Sequence, residues 1–237
     1  MINNLKNEIT DCVNCQSLAL SVFGSLKRED LHELNNYKNS NFVKKGQIIF
    51  SENNPSHGLF CIHKGKAKIV MVGRDGKEQI VRLAKDGDII GYRSLICGEN
   101  YSASAQTIED SMVCFIPKEK LWSLIEKNAQ LSKNLMTHLA LDLKQAEQRS
   151  VNMQQKNASE RLAEALLILQ ETFGINADKS INVELTREEI ASLTGMAIET
   201  VVRILRDFQE IKMLDLVKKK IIILDHQILK RTANIED

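Results

Sequence analysis

The pattern of apolar and polar residues changes character along this chain. Before residue 118, short apolar runs alternate with turns rich in Gly, Asn and Asp, which is typical of strands in an antiparallel sandwich or roll. The predicted strands are residues 47–50, 58–63, 67–72, 78–83, 88–91 and 112–116. Between Pro117 and Gly174 there is neither glycine nor proline, and apolar residues recur at helical spacing. The pattern therefore predicts an N-terminal β-roll followed by helices.

The first helical part carries a long apolar stripe. Its members are Leu121, Leu124, Ile125, Leu131, Leu135, Leu139, Leu143 and Ala146. The stripe predicts one long helix that ends near residue 155. The near-heptad spacing from Leu135 to Ala146 suits pairing with the same helix of a second copy in a homodimer. Packing of the stripe on the β-roll of its own chain explains the spacing equally well.

Residues 186–209 predict two short helices joined by a sharp turn. Thr186 and Glu189 have the spacing of a capping box, and Gly195 favours the left-handed conformation that ends a helix. One side of the second helix is apolar and consists of Val201, Ile204, Leu205 and Phe208. The opposite side carries Glu199, Val202, Arg203 and Arg206. We expect the first side to be buried and the second to face outward.

The chemistry of the outward side suits the DNA major groove. Arginine can pair bidentately with guanine, glutamate accepts from cytosine, and valine contacts the thymine methyl. Residues 213–224 then form two apolar runs around Lys218-Lys219-Lys220, which predicts a hairpin wing whose lysines contact phosphates. The predicted DNA-binding residues are Ile198, Glu199, Thr200, Val202, Arg203, Arg206 and Lys219. An ordinary amphipathic helix pair beside a solvated lysine loop is the alternative.

Composition limits the class of protein. The chain has 237 residues, of which 43% are hydrophobic and 27% charged, so it has room for two globular domains. It contains no apolar run long enough to cross a bilayer and no signal-peptide pattern, which predicts a cytoplasmic protein without a membrane partner. A net charge of +1 means that DNA binding would depend on where charges lie. The chain lacks a nucleophile–base arrangement or phosphate-binding loop, and we predict no enzymatic activity.

These features together resemble the Crp–Fnr family of bacterial transcription regulators. The segments KKGQIIFSENN, DGDIIG and LTREEIASLTGMAIETVVRIL carry the resemblance, which extends from about Phe23 onward. It implies an α+β protein: a sensor β-roll of the cyclic-nucleotide-binding type in residues 1–117, a dimerisation helix in residues 118–155, and a winged helix-turn-helix in residues 156–237. It also implies a homodimer, a near-palindromic operator in double-stranded DNA, and RNA polymerase as a partner.

The same resemblance implies which bases are read. In the family, the glutamate and arginine matched by Glu199 and Arg203 read a G·C pair in each half-site. Ile198 stands where cyclic-AMP-type members have another arginine, and Val202 stands where oxygen-sensing members often have serine. We therefore expect a half-site that shares the G·C pair and differs beside it.

The segment GYRSLICGENYSASA departs from the cyclic-nucleotide-binding pattern. Members that bind cyclic nucleotides have a Gly-Glu pair for the ribose and an Arg-Ser pair for the phosphate. Here Tyr92 replaces the glutamate, and Tyr101 stands where the arginine belongs, while Arg93 is a cation at a different position. Because a buried phosphate needs forked cationic donors, cyclic AMP is not expected as the effector. Binding of another small molecule in the roll remains an alternative.

The cysteines are the second candidate for sensing. Cys12 and Cys15 have the two-residue spacing of thiolates on one metal. The resemblance aligns Cys114 with the internal cluster ligand of oxygen-sensing members, although Ser21 occupies the place of their third N-terminal cysteine. Cys97 is the candidate fourth ligand of an iron–sulfur cluster. A thiol switch and a purely structural cysteine pair are the alternatives.

One more cysteine, Cys61, lies in a predicted strand and is assigned to core packing. The sequence thus predicts a DNA-binding transcription regulator that is independent of cyclic AMP, with its effector open. One alternative is an oxygen or redox sensor that uses Cys12, Cys15 and Cys114. An alternative of another class is a ligand-sensing module that acts on a partner protein and does not bind DNA.

Overall fold

The computed structural model describes residues 11–235. The first part begins with two 3₁₀-helices, Leu18–Leu20 and Val22–Ser25. Its α-helices are α1 (Arg28–Tyr37), α2 (Tyr92–Cys97), α3 (Lys118–Lys127) and α4 (Ala129–Gln155). Its strands are β1 (Asn39–Val43), β2 (Ile48–Phe50), β3 (Gly58–Lys64), β4 (Ala67–Val72), β5 (Glu78–Ala84), β6 (Ile89–Ile90), β7 (Ser104–Thr107) and β8 (Ser111–Pro117).

The strands form the predicted antiparallel roll from two four-stranded sheets. One sheet has the order β1-β8-β3-β6 and the other β2-β7-β4-β5. Side chains that face the roll interior, among them Ile62, Ile69 and Val113, make one core cluster. Alternate residues of β3 and β8, such as Leu59 and Ile116, point to the other side of their sheet and pack against helices in a second cluster.

Two strands were missing from the prediction. The sequences of β1 and β7, NSNFV and SAQT, are largely polar and give no clear alternation. Both strands are nevertheless paired along their length, β1 with β8 and β7 with β2 and β4. Backbone hydrogen bonding to neighbours distant in sequence creates these strands, and residue composition does not reveal it.

The predicted single helix of residues 118–155 is interrupted at Asn128. The backbone of Asn128 is extended, and its side-chain carbonyl accepts a hydrogen bond from the N–H of Leu131 at 2.9 Å, which caps the start of α4. Contacts also divide the chain into two units between Lys144 and Gln145, inside α4.

The members of the predicted dimer seam differ in exposure. Leu135 is 3% exposed in the core cluster of the first unit, and Leu139 packs against that cluster. The Leu135 side chain is therefore not available to a second copy without opening the core, whereas Leu139 is only partly buried. Leu143 and Ala146 are exposed, as the seam prediction requires. Packing on the same chain, the alternative explanation of the spacing, accounts for Leu135 and in part for Leu139, and the dimer seam stays a prediction.

The second unit contains helices α5 (Ala158–Phe173), α6 (Arg187–Thr194), α7 (Ile198–Glu210) and α8 (His226–Thr232), with strands β9 (Leu214–Val217) and β10 (Lys220–Ile223). The two strands form an antiparallel hairpin. Fully buried leucines of α5, Leu162 and Leu166, lie in its core together with Ile204 of α7 and Leu229 of α8. Among residues 11–235, no helix combines the length and the apolar character needed to cross a membrane.

Candidate DNA-binding and sensing sites

Helix α6 begins and ends as its sequence predicts. The Thr186 hydroxyl accepts a hydrogen bond from the N–H of Glu189 at 3.1 Å, and the Glu189 carboxylate accepts one from the N–H of Thr186 at 2.8 Å. This reciprocal pair is a complete capping box. Gly195 then adopts φ 64° and ψ 39°, a left-handed conformation that ends α6 and redirects the chain into α7.

The two sides of α7 also separate as predicted. Val201, Ile204, Leu205 and Phe208 are all buried. On the other side Glu199, Arg203 and Arg206 are exposed, Thr200 and Val202 are half-buried, and Ile198 is 39% exposed. A buried apolar side fixes the helix to its domain, so the opposite side is a rigid and accessible surface. The remaining polar residues of that surface are Asp207 and Glu210.

Arg203 is held only weakly on this surface. Its Nη1 lies 3.4 Å from Oδ2 of Asp207, one helical turn further along, and the two side chains are 67% and 56% exposed. Exposed pairs at this spacing contribute only about 0.3–0.5 kcal/mol. The guanidinium can therefore leave Asp207 for a stronger bidentate partner without a large loss of stability.

The hairpin tip carries two lysines, not three. Val217 pairs with Lys220 across the hairpin, so Lys218 and Lys219 form the turn. Lys219 is exposed. Lys220 is the first residue of β10, and its ammonium donates to Oδ2 of Asp178 at 2.5 Å. This hydrogen bond and the charge of Asp178 raise the pKa of Lys220. The predicted tip of three lysines is therefore corrected to Lys218 and Lys219.

The wing lies close to the start of α6. Hydrogen bonds from its own backbone and from Thr186 lower the pKa of Glu188, and the positive charge of Lys219 lowers it further. Lys219 is therefore near the helix-turn-helix, within one electrostatic environment. The second unit thus presents two candidate elements for DNA, the exposed side of α7 and the lysine turn of the hairpin.

In the roll, two aromatic side chains pack together in the interior. Tyr101 is buried, its ring is 4.2 Å from the ring of Phe50, and its hydroxyl donates to the carbonyl of Gly58 at 2.9 Å. Beside them, the space bordered by Tyr92, Arg93 and Tyr101 is a cavity of about 20 Å³, enough for one water molecule. Sites for drug-sized ligands span roughly 300–1,000 Å³.

Tyr92, the second residue that departs from the nucleotide-binding pattern, bonds to α4. Its hydroxyl donates to Oδ2 of Asp142 at 2.5 Å, and the Arg82 guanidinium lies 3.3 Å from the same oxygen. Arg82 also lies over the Tyr92 ring and contacts Nε2 of His138 at 3.3 Å. These four side chains form a polar network that connects β5 and α2 of the roll to the long helix.

Four of the cysteines share one face of a sheet. Cys61 of β3 is directly opposite Cys114 of β8, so both side chains point to the same face. Cys12 and Cys15 lie in a turn over this face: Cys12 belongs to the core cluster against which Cys61 packs, and Sγ of Cys15 is 3.2 Å from Nδ1 of His63. Cys61 packs against this cluster, as its assignment to core packing predicts, and it also lies next to Cys114.

The proposed fourth ligand, Cys97, is elsewhere. It is exposed at the end of α2 and is not among the principal groups that shift the pKa of Cys12, Cys15 or Cys61. Burial is the main influence on those thiols and raises the pKa of Cys12 to about 11. Among residues 11–235 no three His, Cys, Asp or Glu side chains form a ready single-ion site. Four thiols on one face are, however, the donor set that iron–sulfur clusters use.

An antiparallel β-roll followed by a winged helix-turn-helix is the architecture of a DNA-binding transcription regulator. Comparison with known proteins agrees: residues 41–128 match the model of the cyclic nucleotide-binding domain, and residues 160–232 match that of the Crp-like helix-turn-helix domain. The chain belongs to the Crp–Fnr family of transcription regulators.

Individual relatives extend over nearly the whole chain. The Fumarate and nitrate reduction regulatory protein of Vibrio cholerae is 30% identical over 227 residues, which are 94% of this chain and 90% of the relative. The Transcriptional activator protein anr of Pseudomonas aeruginosa is 30% identical over 218 residues, 90% of this chain and 88% of the relative. The solved structure of FixK2 from Bradyrhizobium japonicum shares the fold, with a TM-score of 0.76, 22% identity, and coverage of 84% of this chain and 99% of that one.

Proposed function

We propose that this regulator reads operator bases with Glu199, Val202 and Arg203. The observation that carries the proposal is the accessible polar side of α7, which stands on a fully buried apolar side. Arg203 supplies forked donors for guanine and Glu199 an acceptor for cytosine, while Val202 presents its methyl groups to thymine. Ile198 and Thr200, at the start of α7, are placed to contact the bases or backbone beside this pair.

Phosphate contacts complete the proposed interface. Arg206 lies one turn beyond Val202 on the exposed side of α7, and Lys219 lies at the wing tip. Both are long, exposed cationic side chains, and Arg206 shares the surface of the base-reading residues. Contacts of this kind hold the protein on DNA and fix its register without distinguishing sequences. The mild overall charge of the chain, +1, makes such local placement necessary.

The dimer is proposed to form through the accessible side of α4. Met136, Ala140 and Leu143 follow one another at spacings of four and three, and all three are exposed. This row lies beside the buried Leu135 and offers the apolar seam that Leu135 cannot. A two-fold dimer requires a near-palindromic operator with half-site centres about 10 bp apart, or a multiple of that distance. RNA polymerase is a further proposed partner, since one relative is named a transcriptional activator.

The signal is proposed to be a redox signal and not cyclic AMP. Tyr101 and Phe50 occupy the interior of the roll, and no arginine stands at the phosphate position. The Vibrio cholerae relative is named for fumarate and nitrate reduction, which are redox processes. The neighbouring thiols of Cys12, Cys15 and Cys114 offer chemistry that responds to oxidation.

Selection of bound sequences from a randomised DNA library tests the proposal, with the full-length protein purified without oxygen. We expect enrichment of a near-palindrome with a G·C pair in each half-site. The Arg203→Ala variant, selected in parallel, should lose the preference for that pair. If the full-length protein enriched no sequence, the alternative of a module that acts on a partner protein would gain support.

A further inference from the structure

We infer that Cys61 completes a four-thiol site for an iron–sulfur cluster, together with Cys12, Cys15 and Cys114. The inference deepens the redox part of the proposed function and rests on it. It assigns a place in the site to a residue whose sequence context indicated only core packing. It also removes Cys97 from the site, because Cys97 lies exposed at the end of α2.

Strand register brings two of the thiols together. In the sheet order β1-β8-β3, Ser40, Cys114 and Cys61 are direct neighbours across three strands. Sγ of Cys114 is 3.4 Å from the Ser40 hydroxyl. Directly paired residues on neighbouring strands have Cβ atoms about 4.5–5.5 Å apart on the same face. This row therefore presents two adjacent sulfurs and a hydroxyl toward the segment that contains the other cysteines.

The segment with Cys12 and Cys15 is fastened to the same face. The N–H of Cys12 donates to the Asn35 side chain of α1 at 3.1 Å, and the Ser17 hydroxyl donates to the carbonyl of His63 at 2.5 Å. Because His63 is two residues beyond Cys61 on β3, these contacts hold the turn over the Cys61–Cys114 pair. After burial, the neighbouring Cys114 contributes to the raised pKa of both Cys12 and Cys15, which places the three thiols near one another.

Ser21 explains why Cys61 is needed. Ser21 stands where oxygen-sensing relatives, by resemblance, have their third N-terminal cysteine. In this structure the Ser21 side chain makes a hydrogen bond with the Cys61 thiol, a smaller influence on the Cys61 pKa than burial and the neighbouring Cys114 and Cys15. The position that lacks a thiol, Ser21, is thus next to the thiol of Cys61. A sulfur supplied by β3 replaces one that the N-terminal segment lacks.

The charge of the surroundings suits an anionic group. The Lys38 ammonium lowers the pKa of both Cys12 and Cys15, against the stronger effect of burial. When iron binds, each thiol proton passes to solvent as an iron–sulfur bond forms, and no electron is taken from the protein. The four thiolates that result would be partly balanced by Lys38. Burial on the helix-covered face also limits access of water and oxidants to the site.

The test uses the full-length protein, first as isolated from strictly anaerobic cells and then after incubation with sulfide and equal amounts of ferrous and ferric iron. Iron and sulfide per chain and visible absorbance are measured for the wild type and for single Cys→Ser variants. We expect Cys61→Ser to lose bound iron and sulfide by at least about tenfold, as should Cys12→Ser, Cys15→Ser and Cys114→Ser. The matched control, Cys97→Ser, should bind as the wild type does.

A second variant separates ligation from folding. Ser21→Cys in the Cys61→Ser background should restore bound iron and sulfide, because the side chains of residues 21 and 61 are in contact and a sulfur at either position can reach the cluster. Unfolding of the metal-free variants, followed by circular dichroism, shows whether loss of iron comes from loss of structure. Restoration by Ser21→Cys would not occur if Cys61→Ser merely disrupted the core.

Three outcomes would overturn the inference. The Cys61→Ser variant could retain as much iron and sulfide as the wild type, or the wild type could bind neither. The third outcome is that these cysteines bind zinc in place of iron and sulfide. The operator selection is independent of these results. If iron-free protein selects a palindrome, the cluster is contradicted and the DNA-binding regulator is supported. If iron-loaded protein selects no sequence, the cluster is supported and sequence-specific operator binding is contradicted.

Discussion

The Tyr92 hydroxyl donates a hydrogen bond to Oδ2 of Asp142, which joins the sensor roll to the long helix. Burial, followed by this hydrogen bond, raises the pKa of Tyr92, so the phenol stays a donor at all physiological pH values. Asp142 is also paired with Arg82, and both side chains are largely buried. The position that supplies a ribose-binding glutamate in nucleotide-binding relatives therefore serves here as a fixed link to α4.

The neighbouring His138 gives this link a pH dependence. Burial, and then the charge of Arg82, lower the pKa of His138 from its ordinary value of 6.5, while Asp142 and Asp88 oppose the shift. Between the lowered pKa and 6.5, the unfolded chain binds more protons than the folded chain, so stability falls as pH falls through this window. We expect the melting temperature to fall less between pH 6.5 and about 5 in His138→Gln than in the wild type. Equal slopes in differential scanning calorimetry would contradict this assignment.

Cyclic AMP should have no effect on the protein. A ligand that binds only the folded state must raise stability by mass action, and saturating ligand at 100 times its Kd adds about 2.7 kcal/mol. Since Tyr101 and Phe50 already fill the roll, we expect no change in melting temperature with cyclic AMP at about millimolar concentration. Operator affinity should also stay constant. A saturable rise in melting temperature would show that the aromatic pair moves aside for the nucleotide.

Replacement of Leu143 by glutamate should separate the two copies. Leu143 is 60% exposed, so the charge is tolerated in the monomer and disfavoured only at an apolar seam. Light scattering should report monomers, and operator affinity should fall because one half-site is lost. Leu135→Glu is the contrasting variant: its side chain is buried, and we expect it to lower the stability of the roll unit itself. A Leu143→Glu protein that remains dimeric would place the interface elsewhere.

Arg203→Ala and Lys219→Ala should weaken DNA binding in different ways. Loss of a bidentate base contact costs about 1–3 kcal/mol on the true operator and relaxes discrimination at one base pair. Loss of a phosphate contact at Lys219 weakens all sequences equally and reduces the salt slope by about one. Titrations of specific and scrambled duplexes at several salt concentrations distinguish the two. An Arg203→Ala variant that loses affinity uniformly would be a phosphate-contact variant.

The local parts of the fold and of the candidate DNA-binding surface were predictable from sequence. Thr186 with Glu189 defines the start of α6, and the spacing of Val201, Ile204, Leu205 and Phe208 defines the buried side of α7, because both depend on residues within a few turns of each other. The burial of Leu135 was not predictable, since helical spacing shows that a side is apolar without showing what covers it.

The thiol site was predictable only in part. The Cys12–Cys15 spacing is visible in the sequence, whereas the pairing of Cys61 with Cys114 depends on the register of strands more than 50 residues apart. The place of Lys220 was not predictable either. Its sequence context indicates part of a lysine turn, whereas its side chain contacts Asp178, 42 residues earlier. Long-range register and pairing have no signature in a short window of sequence.

The aromatic filling of the roll has a consequence for the life of the protein in the cell. Regulators that depend on a metabolite to occupy a pocket are stabilised by that metabolite, so their resistance to proteases follows its concentration. Here Phe50 and Tyr101 are part of the chain, and they are in place as soon as the roll has folded. The resistance of the folded regulator to proteases should therefore not depend on the nucleotide supply, and starvation that empties such pools should leave its turnover unchanged.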